Sequence, residues 1–339
     1  MDGRQRSLHT AVVPTTPFQT PAWRAAAAAT GLFVDATVVT DGAGRELVLP
    51  ALRRRGPMRA TASLPLGWGF GGIVAPGGGP TGADVRAVVD ELGRRGVRLA
   101  RLRPPPEQDA AFAGSGVSWS LVRENHSYEI DLRRGREAVS AAFASSVRRA
   151  VRKAEKSGVI VERRSDMEAV EEFHRLYRLS VLRWAGETRL PDRVVQVRAM
   201  RAEPLGKYRA VLSHMGDDCG VWLAHHAGAV VAALVVLSHG GEHAYWRGAM
   251  DVERAGPVRA NDLLQVSAIE HARGSGGDRY AMGLTAPGSG LARFKSGFGA
   301  ELKVSHEYAI EPAWRSLLRE SAGQVLVPLR GWASGPAGS

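Results

Sequence analysis

Five basic residues crowd one short segment: Arg148, Arg149, Arg152, Lys153 and Lys156, with Arg163 and Arg164 close behind. Such a run offers cations to phosphate groups, and contacts of that kind weaken steeply with salt. The same run also reads as a solvated helix face. Tyr245 and Arg247 sit two apart in a β-prone run, where strand alternation sends one of each adjacent pair inward. Tyr177 and Arg178 fall in a helical stretch, with Arg183 about a turn later; Tyr177 also fits an ordinary core stripe. Lys295, one of five lysines, lies in a short Gly-flanked stretch, Gly290 to Ser296. Other signals carry little chemistry. Gly67, Gly69 and Gly71 imitate a dinucleotide loop without its strand-and-helix setting. His225, His226, His239 and His243 have no carboxylate or Cys cluster beside them, so no metal site is expected. Cys219 is alone, which excludes an intramolecular disulfide framework and multi-Cys clusters.

The elements that must hold these residues are clearest in the second half. From Arg136 to Ser157, apolar residues recur at helical spacing, which predicts one helix stopped by Gly158. Val159 to Val161 is a strand. Ser165 and Glu168 form a capping-box pattern for a helix carrying Val170, Phe173, Tyr177 and Val181. Val221–Ala224, Val230–Ser238 and Ala244–Arg247 follow with Gly-containing turns between them, an antiparallel meander. A helix capped by Asn261 or Asp262 runs to Arg273. A strand over Arg279 to Leu284, a short helix to Ser296 and a strand over Leu302 to Ile310 follow. The first half is a vaguer version of this order. Thr20 and Pro21 start a helix, residues 36–39 and 46–49 read as a hairpin, Asp84 to Arg95 is a helix, and Val97 to Leu102 and Tyr128 to Leu132 are strands. The class is α+β, a mixed, mostly antiparallel sheet flanked by helices.

Several stretches in order resemble Fem-type (FemABX-like) aminoacyltransferases of the GNAT acyltransferase superfamily. Arg152-Lys153-Ala154-Glu155-Lys156-Ser157-Gly158 is similar to the segment that opens the family's second domain. Tyr245 to Ala249, Gly256-Pro257 with Leu263-Leu264, Gly277 to Gly283, and Phe294-Lys295-Ser296-Gly297-Phe298-Gly299 are similar to its later motifs. The resemblance is strong over residues 136–310 and weak before them. It implies two GNAT-like domains, here 1–135 and 136–312 with a tail over 313–339, and an acceptor held between them. It implies transfer of an aminoacyl group from charged tRNA to an amine or hydroxyl of a small-molecule or peptide acceptor. Lys295 then matches the family lysine, a cation able to ease charge on a developing oxyanion, and Phe294 lines the acyl channel. Tyr245 would donate a hydrogen bond or return a proton to the leaving hydroxyl. Arg247, Tyr177, Arg178 and Arg183 would meet substrate. Ala281 stands where the family carries Asp, and the long coiled-coil insertion of the cell-wall members is missing. Both favour a small or soluble acceptor.

The donor can be argued from residues. Ordinary GNAT enzymes hold CoA pyrophosphate on the N–H groups of a Gly-rich loop at a helix N-terminus. Here Glu253 to Ala260 offers only Gly256, and Pro257 removes a donor. With 45 Lys+Arg against 34 Asp+Glu over 339 residues, a net charge of +11, a polyanionic donor is favoured. Aminoacyl-tRNA is therefore the expected co-substrate, with no tightly bound cofactor, and Arg148, Arg149, Arg152, Lys153 and Lys156 are its phosphate contacts. Acyl-CoA-dependent N-acyl transfer and a non-catalytic RNA-binding module are the alternatives. At 44% hydrophobic and 23% charged, the chain excludes whole-length disorder and coiled coil. Its apolar runs are too short for a membrane span. No secretory signal is expected, and a cytoplasmic location follows; a monomer is compatible.

Overall fold

The computed structural model describes residues 16–42, 44–56, 60–65, 67–186 and 191–312, with residues 184–186 as backbone only. The expected tail over 313–339 lies outside the described residues. Thirteen strands are present among the described residues: β1 (Phe33–Asp35), β2 (Val38–Gly42), β3 (Arg45–Leu49), β4 (Leu52–Arg54), β5 (Thr61–Ala62), β6 (Ala100–Leu102), β7 (Leu121–Asp131), β8 (Ile160–Arg164), β9 (Cys219–His226), β10 (Ala229–His239), β11 (Glu242–Met250), β12 (Arg279–Leu284) and β13 (Glu301–Ile310). The helices are α1 (Pro21–Ala29), α2 (Gly82–Arg94), α3 (Asp109–Ala113), α4 (Gly135–Ala141), α5 (Ser145–Lys156), α6 (Met167–Gly186), α7 (Asp192–Ala202), α8 (Leu205–Met215), α9 (Val252–Val258), α10 (Ala260–Gly274) and α11 (Gly290–Gly297).

Eleven strands form one sheet in the order β1-β4-β5-β6-β13-β7-β12-β11-β10-β9-β8, and β2-β3 pair as a separate hairpin. Strands from the two halves of the chain interleave at its centre. β13 pairs with β6 on one side and β7 on the other, while β7 also pairs with β12. Helices cover both faces. One core joins Trp23, Trp68, Phe173, Tyr208 and Trp246 with the inner sides of α6 and α8. A second, on the opposite face, joins Val147, Ile269, Tyr280 and Phe298 under α5, α10 and α11. A third packs the β2-β3 hairpin and α2 with Phe112 and Tyr308. Burial on both faces explains why β10 is an unbroken apolar run rather than an alternating one.

Most local signals act as read. Thr20 accepts the Trp23 N–H at 3.1 Å and Pro21 opens α1. Thr81 and Asp84 close a capping box on α2. Four local readings need correction. The single helix expected over 136–157 is two, α4 and α5, because the Ala144 N–H turns out to the Gly297 carbonyl at 2.8 Å and Phe143 packs edge-on against Phe298. Asp166, not Ser165, caps α6: its carboxylate accepts the Ala169 N–H, while Ser165 donates to Asp217. Neither Asn261 nor Asp262 caps α10. Its cap is Arg259, held at φ +57 with no side-chain cap hydrogen bond. β7 also extends well before Tyr128, since β13 pairs with it along nearly its whole length.

Two features of β11 shape the site. Its parallel pairing with β12 runs only from Glu242 to Ala244 against Arg279 to Ala281. Beyond that point β11 continues to Met250 and β12 to Leu284, so the strands part. β11 also carries a bulge: Val236 faces Tyr245 and Val235 faces Arg247, leaving Trp246 as the extra residue. A bulge of this kind re-aims the side chains around it.

Candidate active site

Where β11 and β12 separate, Gly283 takes φ +72, and a Cβ there would meet the backbone carbonyl of Tyr245 at 3.7 Å. Lys295 reaches this point from α11. Its ammonium donates to the Gly283 carbonyl (3.1 Å), the Leu284 carbonyl (3.3 Å) and Thr285 Oγ1 (2.7 Å). The side chain is 1% exposed and, among the described residues, has no carboxylate partner. Burial lowers its pKa to about 7, because a low-dielectric site disfavours the charged form. Its three donors already have acceptors here, so polarising a substrate carbonyl requires one of them to be exchanged.

Tyr245 lies on the α5/α10 side of the sheet, packed against that core. Burial raises its phenol to about 12, so it is a neutral donor at ordinary pH. Gly248 leaves room for it: a Cβ there would overlap the Tyr245 hydroxyl. Phe294 stacks edge-on against Phe298 with centroids 4.8 Å apart. It lines a groove of about 400 Å3 between α5, α10 and α11, together with Arg149, Lys153, Arg259, Asp262 and Arg293. Four cations thus converge at the N-terminus of α10, whose aligned peptide dipoles also favour an anion. Of the basic residues on α5, Arg149 and Lys153 line this groove. Arg152 and Lys156 are exposed, and Arg148 is exposed while donating to the Phe143 carbonyl. The sequence pattern did not reveal Arg259 and Arg293, which come from other elements and meet α5 only on folding.

Arg247 is elsewhere. Strict alternation would set it on the same face as Tyr245; the bulge at Trp246 sends it to the opposite one. There it donates to Glu203 Oε1 (2.7 Å) and the Gly67 carbonyl (2.8 Å). Lys207 joins the same Glu203 and Gly67 groups, with its ammonium 4.7 Å from the Trp68 ring centre and 5.1 Å from that of Trp246. Tyr208 donates to Glu203 Oε2 at 2.8 Å. Burial alone would raise Glu203, but Arg247 and Lys207 override it and hold the carboxyl at about 2. The network ties β11 and α8 to the segment around Gly67. Tyr177 is buried on this face, 2% exposed and stacked on Phe173; burial, then Glu203, raises its pKa. Arg178 is exposed on α6 and Arg183 half-buried. The structure therefore brings Lys295, Tyr245, Phe294, Arg149 and Lys153 to one side of the sheet, and leaves Arg247, Tyr177, Arg178 and Arg183 on the other. The opening between β11 and β12 lies between the two groups. Cys219 is buried, and its thiol is pushed up to about 12. Among the described residues no group of three or more His, Cys, Asp or Glu could hold a metal ion.

Parted parallel strands followed by a helix whose N-terminus faces a cationic groove define the architecture. This is a GNAT fold. The family described as acetyltransferase (GNAT) domain matches residues 141–296. Over 92% of this chain and 96% of the other, the fold superposes on the crystal structure of FemX with a TM-score of 0.67 at 14% identity. The C-terminal domain of a putative lysylphosphatidylglycerol synthetase from Agrobacterium fabrum aligns at 0.54 and 15% identity, covering 88% of this chain and 91% of that one. L-PGS from Bacillus licheniformis aligns at 0.51 and 11%, covering 84% and 88%. No curated protein matches the chain in sequence. The Fem-type resemblance read from the motifs thus holds at the level of fold, and the match extends over both halves. No helix among the described residues is long and apolar enough to cross a membrane.

Proposed function

We propose that the protein is an acyltransferase that moves an aminoacyl group from aminoacyl-tRNA to an amine or hydroxyl of a small-molecule or peptide acceptor. The observation that carries this reading is the groove at α10. Arg149, Lys153, Arg259 and Arg293 surround a helix N-terminus, and Phe294 and Lys295 on α11 lead from it toward the opening between β11 and β12. Phosphates of the donor's 3′ end would sit in the groove, with the ester carbonyl toward the end of β12. Lys295, lowered to about 7 by burial, would give one of its N–H groups to the oxyanion as negative charge develops. Tyr245 would donate to the leaving ribose oxygen.

The segment from Val252 to Val258 supports tRNA over CoA. It is helix α9 with Pro257 inside it, and Asp251 takes the Arg254 N–H on its side chain and the Ala255 N–H on its carbonyl, so this segment is not an open pyrophosphate loop. The chain's net charge of +11 points the same way.

The test supplies purified protein with tRNA charged with labelled amino acids and a fraction of small cellular amines. Label is expected in a product that survives RNase added afterwards but is not formed when RNase is added first. Product formed only from acyl-CoA would replace this reading with the acetyltransferase one. Retention of tRNA without turnover would leave the RNA-binding one. The double variant R149E/K153E should weaken tRNA binding by an order of magnitude or more and flatten its salt dependence.

A further inference from the structure

The cationic groove contains one group that a plain phosphate site would not. Arg149 and Lys153 stand about one turn apart on α5, Arg293 lies on α11, and Arg259 joins α9 to α10. All four are exposed, and none forms an ion pair among the described residues. Asp262 lines the same groove from the first turn of α10 and is half-buried. It too has no ion pair among the described residues. Its place in the helix suits a capping box, in which a carboxylate takes the N–H of the cap residue. That bond is not made here, because the Arg259 N–H goes to the Gly256 carbonyl at 3.1 Å. Burial raises the Asp262 pKa against the pull of Arg259. A carboxylate withdrawn from water without a hydrogen-bond partner is stabilised by a ligand that donates to it. The groove thus attracts phosphate on four sides and carries one acceptor-only group that an added phosphate would meet as a like charge.

We propose that Asp262 is the donor-specificity residue of this groove, accepting a hydrogen bond from the terminal nucleoside of the tRNA and repelling the clustered phosphates of CoA. The proposal rests on the tRNA-donor reading above and names the residue that chooses between the two donors. The terminal nucleotide of charged tRNA brings one singly charged phosphodiester, together with a ribose hydroxyl and a base amino group that can donate. CoA brings a pyrophosphate and a further phosphate on its ribose. A groove of about 400 Å3 is the size of a small-ligand site, so phosphates and carboxylate act on the same few groups of the occupant. Phe294 lines the groove and precedes Lys295 in α11, so the nucleotide seated there is the one that carries the ester. Discrimination of this kind couples an attraction for the right ligand with an unpaired charge set against the wrong one. An acidic residue in a first turn also favours the helix dipole, but that contribution acts on stability and is blind to the choice of ligand.

The test measures the Kd of the full chain for uncharged tRNA and for CoA at one salt concentration, in wild type, Asp262→Asn and Asp262→Ala. The ratio of the two Kd values reads the same folded population, so a loss of stability in either variant does not move it. Wild type is expected to prefer tRNA. Removing the charge should tighten CoA about three- to tenfold. Binding of tRNA should stay level in Asp262→Asn, which keeps an acceptor oxygen, and weaken about tenfold in Asp262→Ala, which keeps none. The preference for tRNA thus falls in both variants, and further in Asp262→Ala. Equal tightening of both ligands would show a general charge effect and overturn the proposal. So would an unchanged ratio accompanied only by a shift in melting temperature, which assigns Asp262 to the helix end. Either result, with wild type still preferring tRNA, removes this role alone. Wild type that binds CoA more tightly than tRNA overturns the tRNA-donor reading and this role with it.

Discussion

At the scale of single residues, two buried charges make stability rise with pH, each in its own window. Lys295 holds its proton only below about 7 in the folded protein, against an ordinary 10.5. Between those values the unfolded chain binds more protons, so this residue makes stability rise with pH across the window. Lys295→Met removes that dependence. Wild type should therefore gain on the variant by about 1.4 kcal/mol per pH unit at most as pH rises from 7, read from urea midpoints at pH 7 and pH 9. Transfer activity should fall in the variant at every pH. Glu203 has the same sign in a lower window. Held at about 2 against an ordinary 4.5, it contributes stability above pH 4.5 that is lost as pH falls toward 2. Glu203→Gln leaves Lys207 and Arg247 buried without a carboxylate, and should cost about 3–5 kcal/mol at neutral pH in a denaturant titration.

At the scale of elements, Arg259 has two separable roles. It ends α9 and caps α10 in the left-handed region, a conformation that costs a non-Gly residue about 1 kcal/mol or more. It also lines the cationic groove. Arg259→Gly should keep or raise thermal stability while weakening tRNA binding several-fold, seen by comparing a melting curve with a filter-binding isotherm. Loss of stability without loss of binding would show the residue to be a cap only. The bulge at Trp246 is the other decisive element. Sequence alternation predicted a shared face for Tyr245 and Arg247, and one extra residue in β11 separated them. No local signal announces the bulge; it arises from how β11 is paired with β10.

At the scale of the whole molecule, interleaving makes the halves interdependent. β7 has partners only in β12 and β13, from the later part of the chain, and β13 is flanked by β6 and β7, from the earlier part. Segments 1–135 and 136–339 expressed separately would each expose long unpaired strand edges, which are prone to association. Each is expected to be insoluble alone, while co-expression should return a complex that elutes at the size of the intact chain. Two soluble, folded halves would contradict this.

The sequence by itself determined what depends on neighbours within a few residues. The Thr20 and Thr81 caps, the meander from β9 to β11, the helix–strand order of the second half and the motifs around Lys295 are all local, and they sufficed for a GNAT-like fold. It missed the break between α4 and α5 and the true cap of α10, because a contact from Gly297 and the turn at Arg259 outweighed periodicity. Only the tertiary structure decided which cations share a groove and which face Arg247 occupies. Those outcomes depend on strand register and helix docking between residues far apart in the chain, where side-chain spacing carries no information.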